Sequence, residues 1–203
     1  GKTLLYTVWR DLSERKRTEA ILQQRTNELI LITRMTQLFN STLEWELILQ
    51  IVLGELYRLL AITANSFWLR IPETGELVCQ HAEGPGADKV IGFRLPPGQG
   101  IASHAAQSAT TLIVADTLVD ERYFKGVDEL TGVPLRSILS LPLQTKGRVI
   151  GVLNLVDIRV ARFTLEDLRL VEPIAAAAAN AIENAHLYTK TQQELEERQR
   201  VKE

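Results

Sequence analysis

Ser137-Ile138-Leu139-Ser140-Leu141-Pro142-Leu143-Gln144, then Lys146-Gly147-Arg148, then Val149-Ile150-Gly151-Val152-Leu153-Asn154-Leu155-Val156-Asp157 is the stretch around which the rest of the chain arranges itself. Two runs of strand length flank a Lys-Gly-Arg turn, which reads as an antiparallel hairpin. Both runs carry apolar residues on both faces, so their sheet is expected to be covered on both sides. Ser140 and Asn154 are polar positions inside these apolar strands, and a buried polar side chain needs a partner. Each is therefore bonded locally or directed into a cavity, and local bonding is the favoured reading for Asn154.

Working upstream, Asp116 to Thr131 is polar and irregular, with a helical turn or two. Thr111 to Val114 and Phe93 to Leu95 read as short strands, with Ile101 to Ser108 a helix between them. Ser66 to Ile71 and Leu77 to His81 form a second hairpin around Pro72-Glu73-Thr74-Gly75, where Pro and Gly take favourable turn positions. Ahead of them Asn40-Ser41-Thr42 caps a helix from Glu44 to Leu60, with Leu47, Ile51, Leu56 and Leu60 assigned to its buried side. Downstream, Phe163-Thr164 opens a long helix from Leu165 that can run to the end of the chain, with Pro173 inside it as a point where it could kink or break. The whole reads as α+β: a largely antiparallel sheet of about six strands flanked by helices, with long helical extensions at both ends.

The two ends differ from the centre. Thr3 to Arg10 alternates as a single strand, which is not stable alone, so its sheet partners are expected in a longer parent chain. Asp11-Leu12-Ser13 supplies caps for a polar helix in which Leu22, Leu29, Ile32 and Phe39 follow helical spacing. In the last helix Ile174, Ala178, Ala181, Ala185, Tyr188, Gln192 and Leu195 alternate at spacings of four and three, close to a coiled-coil seam.

Composition narrows the function classes. The 203 residues are 45% hydrophobic and 24% charged, with a formal net charge of −2. Such a balance is that of a soluble globular chain and points to neither nucleic acid nor an anionic membrane as partner. One cysteine, Cys79, excludes an intramolecular disulfide and the multi-cysteine zinc sites. The longest apolar runs fall far short of the roughly 20 residues that span a bilayer. A cytoplasmic location without direct membrane contact is the expectation.

Gly100-Ile101-Ala102, Leu112 to Asp116, Asp120-Glu121-Arg122-Tyr123, the paired strands around Lys146-Gly147, and Phe163-Thr164-Leu165-Glu166-Asp167 together resemble a GAF domain over residues 38–187. Val8-Trp9-Arg10-Asp11-Leu12-Ser13-Glu14-Arg15-Lys16 resembles the last strand and exit of a PAS domain. The resemblances divide the chain into a PAS remnant (1–13), a signalling helix (14–37), the GAF domain (38–187) and a coiled-coil-like linker (188–203). They imply a bacterial signalling protein, with a sensor histidine kinase of a two-component system or a cyclic-dinucleotide synthase as its output.

The resemblance also implies a pocket on one sheet face, roofed by Phe93 to Thr131. Asp116, Arg122, Tyr123 and Phe124, with Phe93, Ser140 and Asn154, are the candidate ligand-binding residues. A carboxylate, a guanidinium and aromatics suit a planar or anionic ligand, although such residues also cap turns and fill cores. Cyclic-nucleotide-binding GAF domains carry an Asn-Lys pair, a Phe and an Asp-Glu pair. Here Leu155 follows Asn154 and Leu168 follows Asp167, which weighs against that ligand. Cys79 precedes the pocket region and reads as a small buried residue, so no covalent bilin is expected. His81 and His104 lack a second ligand at metal spacing, and His186 lacks a phosphoacceptor motif. No catalytic residues stand out. The function read from the sequence is a sensory, regulatory module that binds a small ligand and relays it through helices. The alternatives are a ligand-free dimerisation and relay module and, last, a GAF-fold enzyme. A parallel homodimer is expected along Leu22, Leu29, Ile32, Phe39, Ala178, Ala181, Ala185, Tyr188 and Leu195, burying at least about 1,200 Å² in total.

Overall fold

The computed structural model describes residues 45–200; at the end of the last helix, side chains are described to Tyr188, His186 excepted. The PAS-like strand, the first signalling helix with Leu22, Leu29, Ile32 and Phe39, and the side chain of Leu195 lie outside the described residues.

Helix α1 (Trp45–Leu60) leads into β1 (Ala64–Arg70) and β2 (Leu77–Glu83), then the short α2 (Ala87–Val90), β3 (Arg94–Leu95) and α3 (Gly100–Ser108). β4 (Leu112–Val114), a 3₁₀ turn (Thr117–Val119) and α4 (Gly126–Thr131) follow, then β5 (Ser137–Thr145), β6 (Arg148–Asp157) and α5 (Leu165–Arg200). The strands form one sheet in the order β3-β2-β1-β6-β5-β4, and every neighbouring pair is antiparallel. The α+β architecture read from the sequence is the one observed.

Local chemistry explains both hairpins. Lys146 and Gly147 both have positive φ, 48° and 75°, the backbone a two-residue loop needs to match the twist of its strands. In the β1–β2 connection Gly75 takes φ 73° and returns a 2.8 Å hydrogen bond to Ile71 O. The central β1–β6 pair joins segments far apart in sequence, with Ser66 opposite Asn154 and Phe67 opposite Leu153.

Alternation then sorts the side chains. Leu139, Leu141, Leu143, Leu153, Leu155 and Phe67 face one layer with α1 and α5. Trp68, Val152, Ile138 and Val156 face the other, under α2 to α4. The sheet is covered on both sides, as the two apolar faces of its strands require.

The helices refine three expectations. α1 buries Leu49, Val52, Leu53, Leu56 and Leu60, whereas Leu47 is 42% exposed and Ile51 only half-buried. Both stripes have helical spacing, so the apolar surplus of this helix left its rotation open until the sheet was in place. α5 is continuous through Pro173. Pro173 and Arg169 are both exposed, so the interrupted step of the backbone ladder lies on the solvent side of the helix. Ile174, Ala178, Ala181 and Ala185 are buried within this chain, with Val171, Ala175, Ala179 and Ile182 beside them. The first half of the expected dimer seam is thus the face on which α5 lies against β5 and α1. Its small side chains let the helix backbone approach the leucines of β5 closely.

Candidate functional site

On the second face of the sheet lies a cavity of about 90 Å³. Ser66 and Trp68 of β1, Ile138 of β5, and Asn154 and Val156 of β6 form its floor. Its cover comes from Ala87 and Val90 of α2, the first turn of α3, Tyr123, Phe124, and Val127, Asp128 and Thr131 of α4. Among the described residues no lysine, arginine or histidine lines it.

A polar row crosses this apolar floor. Ser140, Asn154 and Ser66 stand opposite one another on β5, β6 and β1. Ser140 Oγ donates to Asn154 Oδ1 at 2.7 Å, and Trp68 Nε1 donates to Ser66 Oγ at 2.8 Å. Asn154, 8% exposed, has no partner for its amide Nδ2 among the described residues. Asn154 is therefore both bonded locally, as expected, and a donor at the cavity wall.

The cover is tied down at Asp128. Tyr123 OH donates to Asp128 Oδ1, and Leu135 N donates to Asp128 Oδ2 at 3.0 Å. Thr117 Oγ1 donates in turn to Leu135 O at 2.6 Å, linking α4, the 3₁₀ turn and the approach to β5. Burial raises the Asp128 carboxyl above its ordinary value, against the lowering effect of these two donors. Burial, followed by the bond to Asp128, pushes the Tyr123 phenol well above its ordinary value. Phe124 is seated over Gly126, where an added Cβ would fall 2.3 Å from the ring.

Of the seven residues singled out from the sequence, Tyr123, Phe124 and Asn154 line the cavity. Ser140 stands behind Asn154 and orients it. Phe93 is a layer further out, its ring 6.4 Å from those of both Trp68 and Phe124. Asp116 and Arg122 do not line the cavity, because each is spent on a local partner. Asp116 accepts from Arg136 Nε and Nη2 at 3.1 and 2.7 Å and caps the 3₁₀ turn through Leu118 N. The Arg136 guanidinium, then the Leu118 N–H, holds its carboxyl below the ordinary value. Arg122 donates from Nε and Nη2 to Asp120 at 2.9 and 2.6 Å.

The anionic ligand expected from Arg122 thus loses its cation. Asp128, Trp68 and Ser66 were not anticipated. Asp128 reads locally as an ordinary acid on a short helix, and nothing in its neighbourhood signals a cavity.

Cys79 is buried and does not line the cavity, and burial pushes its thiol up to about 12. His81 Nε2 lies 3.5 Å from Glu83, and His104 Nδ1 meets Gly100 O at 2.9 Å. Among the described residues no three His, Cys, Asp or Glu gather as a metal ion would need. No described helix is long and apolar enough to cross a membrane.

The sequence that builds this antiparallel sheet and its cavity matches a family model, the GAF domain, over residues 42–183. The chain belongs to the GAF domain family. The GAF domain of a phosphoenolpyruvate-protein phosphotransferase from Coxiella burnetii superposes with a TM-score of 0.73 at 22% identity, over 81% of this chain and 98% of that one. The free methionine-R-sulfoxide reductase of Neisseria meningitidis, solved with its substrate, gives 0.68 at 21% identity, over 77% and 89%. At these identities the likeness is one of fold. The probable 3′,5′-cyclic phosphodiesterase pde-5 of Caenorhabditis elegans is 33% identical over 98 residues. That match covers 48% of this chain and 14% of the relative's length.

Proposed function

We propose that this GAF domain is the sensory, regulatory module of a multidomain signalling protein. A small molecule in the cavity biases the packing of α1 and α5, and α5 carries the change to an output. The observation behind this reading is that β5 and β6 serve both faces. Ile138, Asn154 and Val156 border the cavity, while Leu139, Leu141, Leu153 and Leu155 of the same strands carry α1 and α5. Close-packed interiors transmit strain, so a shift on one face is felt on the other.

The PAS-like opening at Val8 to Lys16 supports a parent of the form PAS–helix–GAF–helix–output, located in the cytoplasm. A sensor histidine kinase or cyclic-dinucleotide synthase remains our reading of that output, and the likeness to pde-5 adds a phosphodiesterase to the candidates. We assign the domain itself no catalysis. The sequence's one cysteine is off the cavity, so the thiol chemistry of a reductase has no nucleophile there.

Native mass spectrometry with an absorption spectrum of the full chain tests the sensory reading. A retained non-covalent mass, lost on denaturation, is expected. A bare polypeptide to which no small molecule can be added would favour a ligand-free relay module instead, a reading that the small volume of about 90 Å³ also supports. A visible band surviving denaturation would contradict the absence of a covalent bilin.

We further propose a parallel homodimer. With Ala178, Ala181 and Ala185 occupied inside the subunit, its contacts belong to the helix from Tyr188 onward, including Leu195, and to the first helix with Leu22, Leu29, Ile32 and Phe39. The full chain is expected to sediment as a dimer at micromolar concentration, and a monomer throughout that range would refute it.

A further inference from the structure

Five largely covered carboxylates of the described residues share a feature that Asp128 lacks. Asp116, Asp120, Asp157, Asp167 and Glu183 are all largely covered, and each holds an arginine: Arg136, Arg122, Arg159, Arg162 and Arg148, at 2.6 to 3.3 Å. A covered carboxylate without such a partner sits in an environment that disfavours its charge. Asp128 is covered, lines the cavity, and receives only two neutral donors, Tyr123 OH and Leu135 N–H. Among the described residues no cation forms an ion pair with it and no cationic side chain lines the cavity; the exposed Lys125 acts on Asp128 only through space, as the weakest of the influences on its carboxyl.

The rest of the wall fits a positive charge. Trp68, Tyr123 and Phe124 bring three aromatic side chains to the same cavity, and aromatic faces attract ammonium groups. On the floor, the Nδ2 of Asn154 has two hydrogens and no acceptor among the described residues, so it can meet an oxygen of whatever enters. Glu83 also borders the cavity, but it stands opposite Asn65 in the register. Its carboxylate lies 3.5 Å from His81 Nε2, which makes no hydrogen bond to it, so Glu83 is a second acid on the wall, while Asp128 is the one bonded to Tyr123.

We propose that the cavity binds a small organic ammonium compound that also carries an oxygen acceptor, its charge set against Asp128 among Trp68, Tyr123 and Phe124 and its oxygen against Asn154. This rests on the ligand-binding reading above and narrows it: the missing partner of Asp128 arrives with the ligand. Phosphate-bearing ligands are disfavoured by the same wall.

Calorimetry and thermal unfolding of the full chain test it with choline, ethanolamine and free alanine as ammonium probes. Dimethylbutanol, the uncharged carbon isostere of choline, and cyclic GMP serve as neutral and anionic comparators. At least one ammonium probe is expected to raise the unfolding midpoint and to bind at least about tenfold more tightly than the comparators. In Asp128→Asn that preference should vanish. Because the choline–dimethylbutanol comparison is made on the unaltered protein, it stands even if the variant folds poorly. Tighter binding of dimethylbutanol or cyclic GMP would overturn the charge assignment and leave the ligand-binding reading intact. If no probe binds and native mass spectrometry finds only bare polypeptide, both readings fall together.

Discussion

Gly151→Ala is expected to destabilise the domain by about 3 kcal/mol, at the upper end of overpacking effects. Gly151 is buried in the central strand β6, opposite Leu69 on one side and Leu143 on the other. A Cβ added there would stand 2.5 Å from Trp68 O and 2.7 Å from Phe67 Cε2. The first neighbour is backbone in the middle of the sheet and the second is a fully buried ring, so neither has room to retreat. Urea unfolding should show a lower midpoint with an unchanged slope. A stability within about 0.5 kcal/mol of the parent would mean that β1 and β6 separate more easily than their pairing implies.

Asp157→Ala is expected to cost a similar amount, about 3 kcal/mol, because it strands several donors at once. Asp157, fully buried, accepts from Thr63 N at 3.2 Å, Arg159 N at 2.8 Å, and Arg159 Nε and Nη2 at 2.8 and 2.9 Å. It thereby pins the end of β6 to the entry of β1, which is the closure that makes one sheet of two sequence-distant hairpins. Burial alone would push its carboxyl up, but the Arg159 guanidinium and the backbone N–H groups outweigh it and hold the pKa below the ordinary value. A depressed folded-state pKa contributes stability that is complete above the unfolded value, about 3.9, and is lost as pH falls through the folded one. The parent should therefore lose stability on acidification below about pH 4 more steeply than Asp157→Ala, whose loss is already present at neutral pH. Parallel pH–stability curves for the two would show that Asp157 does not supply this term.

The candidate site was legible only where local chemistry and cavity coincide. Asn154 announces itself as a polar residue in an apolar strand, and Tyr123 and Phe124 as aromatics in a polar loop. Asp116 and Arg122 looked equally promising and do not reach the cavity. Their partners, Arg136 and Asp120, had to be located before either could be recognised as occupied. Asp128 gives the opposite case, an unremarkable helix acid whose role comes from where α4 is laid down.

The sequence by itself determined what depends on neighbours along the chain. Alternation in Ser137 to Asp157 and the positive φ demanded at Lys146-Gly147 specify the β5–β6 hairpin, and apolar residues on both of its faces require two covering layers. Tertiary structure decided what depends on a second surface. Helical spacing in α1 and α5 defines an apolar stripe without saying what it meets, so Leu47 turned outward and Ala178, Ala181 and Ala185 turned onto their own sheet. A stripe of small residues satisfies a partner helix or a sheet equally well. Only the three-dimensional position of β5 gave that stripe its neighbour.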